Sequence, residues 1–115
     1  MVAVIDPSTF EQLTADMGAD FMGELIDTYC EETPRLIADL QQALAQGNAD
    51  VFRRSAHSIK SSSASFGALE FAAQARELEM IGKAGDVTGA DAKVEHLASA
   101  YALVNQALQE LRHAH

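Results

Sequence analysis

The sequence VFRRSAHSIKSSSASFG, residues 51–67, decides the fold and carries the strongest functional signal in the chain. Residues of a helix that share a face recur every three or four positions. One face of this segment carries side chains that suit a core: Val51, Ser55, Ile59, Ser63 and Phe66. His57 lies roughly 160° from Ile59 at the helical repeat. The segment therefore predicts a helix that buries one face and exposes His57.

The face that His57 shares is basic, although the chain is acidic. It also holds three cationic and two small residues: Arg53, Arg54, Lys60, Ser61 and Ala64. Three of the eight basic residues thus surround one histidine in a protein of net charge -9. A neutral imidazole nitrogen is a competent nucleophile for phosphorus, and cations share the charge of a transferring phosphoryl group. We also expect the cations to favour the neutral ring. The pattern indicates a phosphate-handling site.

Residues 56–63, AHSIKSSS, resemble the signature of the histidine-containing phosphotransfer (HPt) domain of phosphorelays. The family pattern is His, any residue, an aliphatic, Lys, a small residue, then Ser or Ala, with Gly ten positions after the His. Ile59, Lys60 and Gly67 match it, while Ser61 stands where glycine is commonest and keeps the position small. Residues 78–86, LEMIGKAGD, resemble the family's second conserved helix and loop, so the likeness spans about residues 5 to 111.

The resemblance implies that His57 accepts a phosphoryl group from a receiver-domain aspartate and passes it to another receiver. It implies that Lys60 stabilises the phosphate charge. The docking surface for response-regulator receivers, including those of a hybrid histidine kinase, would hold five residues: Arg53, Arg54, Ser61, Ala64 and Gly67. No cofactor or metal site is expected, since the receiver would supply any magnesium. An adaptor that docks receivers or another regulator without carrying phosphate remains an alternative, as does a purely structural bundle.

Length and composition limit the number of domains, the fold class and the kinds of partner. At 115 residues the chain forms one domain, residues 1–115, whether free-standing or excised from a larger hybrid sensor kinase. Its 48% apolar content, two prolines and lack of Trp favour an all-α fold. The acidic balance argues against nucleic acid as a partner, and the single Cys30 forms no internal disulfide. Without a long apolar run or signal peptide, we expect no membrane insertion and a cytoplasmic monomer.

Helical periodicity divides the chain into five segments. They cover about residues 6–17, 20–45, 50–66, 69–83 and 91–111, which predicts an up-and-down four-helix bundle with a short additional N-terminal helix. Pro34 should kink the second helix or loosen its hydrogen bonds. Six apolar residues recur at helical spacing along that helix: Phe21, Leu25, Tyr29, Leu36, Leu40 and Leu44. Phe21, with Phe10 and Leu13, forms either a lid on the core or an exposed docking patch. Thr88 and Asp91 resemble a capping box before the last helix.

Catalysis with ATP is not expected. Gly82-Lys83 lacks the first glycine and the following Ser or Thr of a phosphate-binding loop, and no segment is long enough for a nucleotide-binding domain. The segment after His57 also lacks the proline that follows the phospho-accepting His of sensor-kinase dimerisation helices. We therefore expect a phosphocarrier without ATP-dependent kinase activity of its own.

Overall fold

The protein is all-α across residues 3–113, the part of the chain that the computed structural model describes. Its five helices are α1 (Pro7–Met17), α2 (Ala19–Gln46), α3 (Ala49–Phe66), α4 (Leu69–Lys83) and α5 (Asp91–His113). Helix α2 contacts α3 and α5, and α4 contacts the same two helices, so these four form a closed cycle of neighbours. Helix α1 packs on α2 and α3. None of the helices described is both long and apolar enough to cross a bilayer.

Local sequence sets where the helices begin. The Asp6 carboxylate accepts hydrogen bonds from the Thr9 backbone N–H at 3.0 Å and the Thr9 hydroxyl at 2.6 Å, and Pro7 occupies the first turn. This cap satisfies a donor that the first turn leaves unpaired. Asn48 caps α3 by accepting from the Val51 N–H at 3.2 Å. A side-chain cap thus fixes the start of both α1 and α3.

The start of α5 differs from the prediction. Asp91 is its first residue, and the Val94 N–H bonds to the Ala90 carbonyl, so Ala90 rather than Thr88 occupies the cap position. The Thr88 N–H instead donates to the Asp86 carboxylate at 3.0 Å. The capping-box prediction is wrong because Thr88 belongs to a turn in the preceding loop.

Helix α2 continues through Pro34 and buries one face against the core. Of its six apolar positions at helical spacing, Tyr29 and Leu40 are buried, and Leu25, Leu36 and Leu44 are partly buried against the core. Phe21 is 43% exposed, so it is not a buried lid on the core. The other buried positions of α2 are Met22, Ile26, Thr33, Ile37 and Ala43. Apolar residues lie on neighbouring faces of α2, and packing against α3 and α5 decides which of them are fully buried.

The core is continuous from α1 to α5. Its fully buried large side chains come from four helices and include Ile26, Leu40, Phe52, Ile59, Leu78, Leu97 and Leu108. Phe52 and Ile59 belong to α3, which therefore has one face fixed against the rest of the protein. The opposite face of α3 remains available to solvent, and His57 lies there.

Candidate functional site

His57 is held on the exposed side of α3 by buried neighbours. Ala56 and Ile59 are fully buried, while the His57 side chain is 55% exposed. A helix with one face packed into a core is a stiff support, so the position of the ring is set by the fold. The predicted exposure of His57 is confirmed.

A carboxylate from α4 contacts both His57 and Lys60. Glu79 Oε2 lies 2.6 Å from His57 Nδ1, and Glu79 Oε1 lies 2.6 Å from Lys60 Nζ. The Glu79 side chain is only 15% exposed, so the pairs are largely shielded on the carboxylate side. One residue of α4 thus connects the histidine to the nearby lysine of α3.

The charge on Glu79 determines which ring nitrogen is free. The hydrogen bond from Lys60, assisted by the one from His57, holds the pKa of the Glu79 carboxyl below its usual value despite partial burial. An ionised carboxylate can only accept hydrogen bonds, so the Nδ1–H of His57 must donate to it. In the neutral ring the lone pair therefore lies on Nε2. The unprotonated nitrogen is the one that Glu79 leaves uncovered.

Close packing of α3 and α4 makes this contact possible. Gly82 is buried, and a Cβ placed on it would lie 2.8 Å from the backbone nitrogen of Arg53. The two helices approach more closely there than any side chain would allow. Glu79 lies one turn before Gly82 on α4. The close approach at Gly82 therefore brings the Glu79 carboxylate within reach of α3.

The three cations near His57 are each paired with a carboxylate. Arg53 and Arg54 form ion pairs with Asp50 at 3.0 and 3.1 Å, and Lys60 pairs with Glu79. Arg53 and Arg54 together hold the pKa of the Asp50 carboxyl below its usual value. The charged group that contacts the ring is a carboxylate. The cations lie on α3 as predicted, but their charges are balanced by Asp50 and Glu79.

The small residues of the predicted docking surface separate into two groups. Ser61 is exposed and Ala64 partly exposed, so both are accessible on α3. Gly67 is buried at the end of α3 with φ +90, and its carbonyl accepts a 2.8 Å hydrogen bond from the Asp6 N–H. The start of α1 covers Gly67. Its assignment to the docking surface is a mistake, since it shapes the α3 terminus instead.

The serines behind His57 are structural. Ser62 donates to the Ser58 carbonyl at 2.9 Å. Ser63 does not bond to the backbone in this way: it is fully buried and shares a 2.7 Å hydrogen bond with the Tyr29 hydroxyl. Burial raises the pKa of Tyr29 to about 12, so this phenol stays neutral.

Comparison with known proteins agrees with this geometry. The family model described as the Hpt domain matches residues 24–114. The chain belongs to the Hpt domain family. Its structure also matches histidine-containing phosphotransfer protein B from Pseudomonas aeruginosa PAO1, with a TM-score of 0.90 and 26% identity over 100% of this chain and 99% of the relative. Among curated protein sequences, none gives a significant match.

Membership of the Hpt family supports a phosphotransfer role in phosphorelays, where Hpt domains interact with receiver domains. Sequence reasoning did not assign Glu79 to the Hpt site. A carboxylate 22 positions from the histidine gives no local signal, although Glu79 lies in the segment that carried the second part of the resemblance. Within residues 3–113, no three His, Cys, Asp or Glu side chains are grouped to hold a metal ion.

Proposed function

We propose that this protein transfers phosphoryl groups through His57, which accepts one from a receiver aspartate and passes it to an aspartate of another receiver. The observation that carries the proposal is the arrangement of the ring. Its Nδ1 is bound by Glu79, and the side chain is more than half exposed. Nε2 is thus the nitrogen that an incoming phosphorus atom would meet.

The transfer step follows from this arrangement. The Nε2 lone pair attacks the phosphorus of the aspartyl phosphate. The P–N bond forms as the P–O bond to the aspartate carboxylate breaks, which returns an electron pair to that carboxylate. Onward transfer is the reverse step with a second receiver. Because the reacting atoms must approach within about 3–3.5 Å in line, most of the catalytic work is positioning.

The neighbouring residues have supporting roles in the proposal. Lys60 lies one turn from His57. Once the Lys60 ammonium group leaves Glu79, it would balance the charge on the transferring phosphoryl group. Ser61 and Ala64 are small and accessible, so they would let a receiver approach α3. Arg53 and Arg54, although paired with Asp50, would border the same docking surface. Any magnesium would be bound by the receiver, with no cofactor held by this chain.

The architecture that we propose for the cycle of α2 to α5 is an up-and-down four-helix bundle, with α1 packed across one end. The connections between successive helices are short, which favours antiparallel neighbours. A single domain, either free-standing or part of a hybrid kinase, a monomeric state and a cytoplasmic location remain predictions from the sequence.

The decisive experiment measures phosphate on the domain. A receiver phosphorylated with labelled phosphate is mixed with the protein, and the label on the protein is tested for acid lability and base stability, the behaviour expected of phosphohistidine. His57→Gln should take no label while keeping its helical content, because the exposed ring contributes little to packing. His96→Gln, which changes an exposed histidine of α5, is the matched control and should label normally.

Two results would contradict the proposal. If His57→Gln accepts phosphate as the parent does, another residue is the acceptor. If the parent binds receivers but takes no label, the protein is a docking adaptor.

A further inference from the structure

The residue that contacts both functional side chains of the proposed site is negatively charged. Glu79 uses one oxygen for the His57 ring and the other for Lys60, each at 2.6 Å. A neutral amide could accept the same hydrogen bond from Nδ1. The negative charge of Glu79 therefore affects a phosphorylated ring in ways that a neutral acceptor of the same shape would not.

We propose that Glu79 makes phosphorylated His57 short-lived and ready to discharge, so that the protein passes phosphoryl groups on instead of storing them. The inference rests on the proposed function, because it concerns the phosphorylated form of His57. It adds to that function that one residue of α4 sets the lifetime of the phosphorylated state.

The first reason is the proton on Nδ1. When the Nε2–P bond breaks, its electron pair returns to Nε2. A ring that still carries the Nδ1 proton then leaves as neutral imidazole, whereas a ring without it would leave as an anion, a much poorer leaving group. The Glu79 carboxylate accepts the hydrogen bond from Nδ1–H and opposes loss of that proton. It thereby favours the reactive form of the phosphorylated ring.

The second reason is competition for Lys60. A phosphoryl group on Nε2 would be stabilised by a nearby ammonium group. The Lys60 ammonium group is already paired with Glu79. The phosphoryl group must either compete with this carboxylate for the lysine or remain less well neutralised. Negative charge on Glu79 and on the phosphoryl group also repel each other across the ring.

The other ion-paired charges of the two helices are bound to partners away from the ring. On α3, Arg53 and Arg54 are both bound to Asp50. On α4, Glu77 pairs with Lys93 of α5, at 2.9 Å. Of the carboxylates on the described residues of α3 and α4, Glu79 is the one in hydrogen-bond contact with the ring.

The test compares the lifetime of the phosphorylated domain with and without this charge. Potassium phosphoramidate, a small donor that phosphorylates accessible imidazoles, labels the protein without any receiver, and mass spectrometry locates the label on His57. After removal of the donor, loss of the phosphoryl group to water is followed at neutral pH. Glu79→Gln keeps the shape and the acceptor for Nδ1–H while removing the charge.

We expect Glu79→Gln to lengthen the lifetime of phosphorylated His57 roughly three- to tenfold, and to slow its discharge to a receiver. Glu77→Gln removes a lysine-paired carboxylate from the same helix and should leave the lifetime unchanged. In the parent, the ¹⁵N shifts of the phosphorylated ring should show a protonated Nδ1. In Glu79→Gln this signal should weaken, a change that a purely structural role for Glu79 would not produce.

Equal or shorter lifetimes in Glu79→Gln would overturn the inference, as would the same lengthening in Glu77→Gln. Both outcomes are independent of the receiver. If labelled receivers fail to transfer to His57 while phosphoramidate labels it, the proposed function fails but the lifetime comparison still stands.

Discussion

Gly82 of α4 lies directly against the backbone of Arg53 of α3. A Cβ on Gly82 would come within 2.8 Å of the Arg53 nitrogen and 2.9 Å of its Cα. This close approach fixes the separation of the two helices one turn from the place where Glu79 meets His57. The geometry of the site therefore depends on a residue that takes no part in its chemistry.

We expect Gly82→Ala to destabilise the protein by about 1–3 kcal/mol, because the added methyl group meets backbone atoms that cannot move independently. The control is Gly23→Ala in α2, where the new Cβ would touch only the Arg112 side chain at 3.6 Å. That variant should be neutral or gain up to about 1 kcal/mol from helix propensity. Denaturant unfolding of both variants provides the measurement. Equal stabilities would show that α3 and α4 can separate without cost.

Gly67→Ala should be more destabilising than Gly47→Ala. Both glycines have positive φ, +90 and +66, so each substitution carries a backbone strain of about 1–2 kcal/mol. The Cβ at Gly47 would meet open space, whereas that at Gly67 would lie 2.9 Å from the Asp6 carbonyl oxygen. Thermal unfolding of the pair isolates the contact with α1. If the two variants melt together, α1 does not press on the end of α3.

Ser61→Arg should slow phosphoryl transfer by on the order of a hundredfold, although it adds a favourable charge. Ser61 lies one turn beyond His57 on the same side of α3, so a long side chain there would hold a receiver away from the ring. Ser99→Arg makes the same change at an exposed position of α5, which does not contact α3, and should transfer normally. Single-turnover rates from a phosphorylated receiver test the pair. An unaffected Ser61→Arg would mean that receivers dock elsewhere.

Acid should reduce the stability of the parent more than that of Glu79→Gln. The pKa of Glu79 is lower in the folded protein than its ordinary value of 4.5. A lowered carboxyl pKa contributes stability that is fully present above pH 4.5 and is lost as the pH falls through the folded-state pKa. The difference in unfolding free energy between the two proteins should therefore be constant near neutral pH and shift against the parent below pH 4.5. A difference that does not vary with pH would show that Glu79 gains nothing from Lys60.

No phosphate should be incorporated from ATP by the protein alone. The chain carries no phosphate-binding loop, and the signature residues around Gly82-Lys83 are incomplete. Incubation with labelled ATP and magnesium tests this, and a receiver that carries labelled phosphate is the positive control. Stoichiometric label at His57 from ATP would identify the protein as a kinase.

Helical periodicity predicted most of the helices and the exposure of His57, because it depends on residues close together in the chain. The place of Phe21, core lid or exposed residue, and the contact of His57 with Glu79 could not be found in this way. Each depends on how separate helices pack, and the second also depends on the close approach at Gly82. The pairing of Asp50 with Arg53 and Arg54 is different, since it follows the spacing of three and four residues and could have been read from the sequence.

The hydrogen bond between the Asp6 N–H and the Gly67 carbonyl shows that the folded domain extends beyond the segment that the family model matches. The family match begins at residue 24, beyond α1. Yet Ile5 and Phe10 are buried in the core, and the residues around Asp6 cover the end of the helix that carries His57. An expression clone trimmed to the conserved signature would keep every residue of the proposed site and uncover the C-terminal end of its supporting helix.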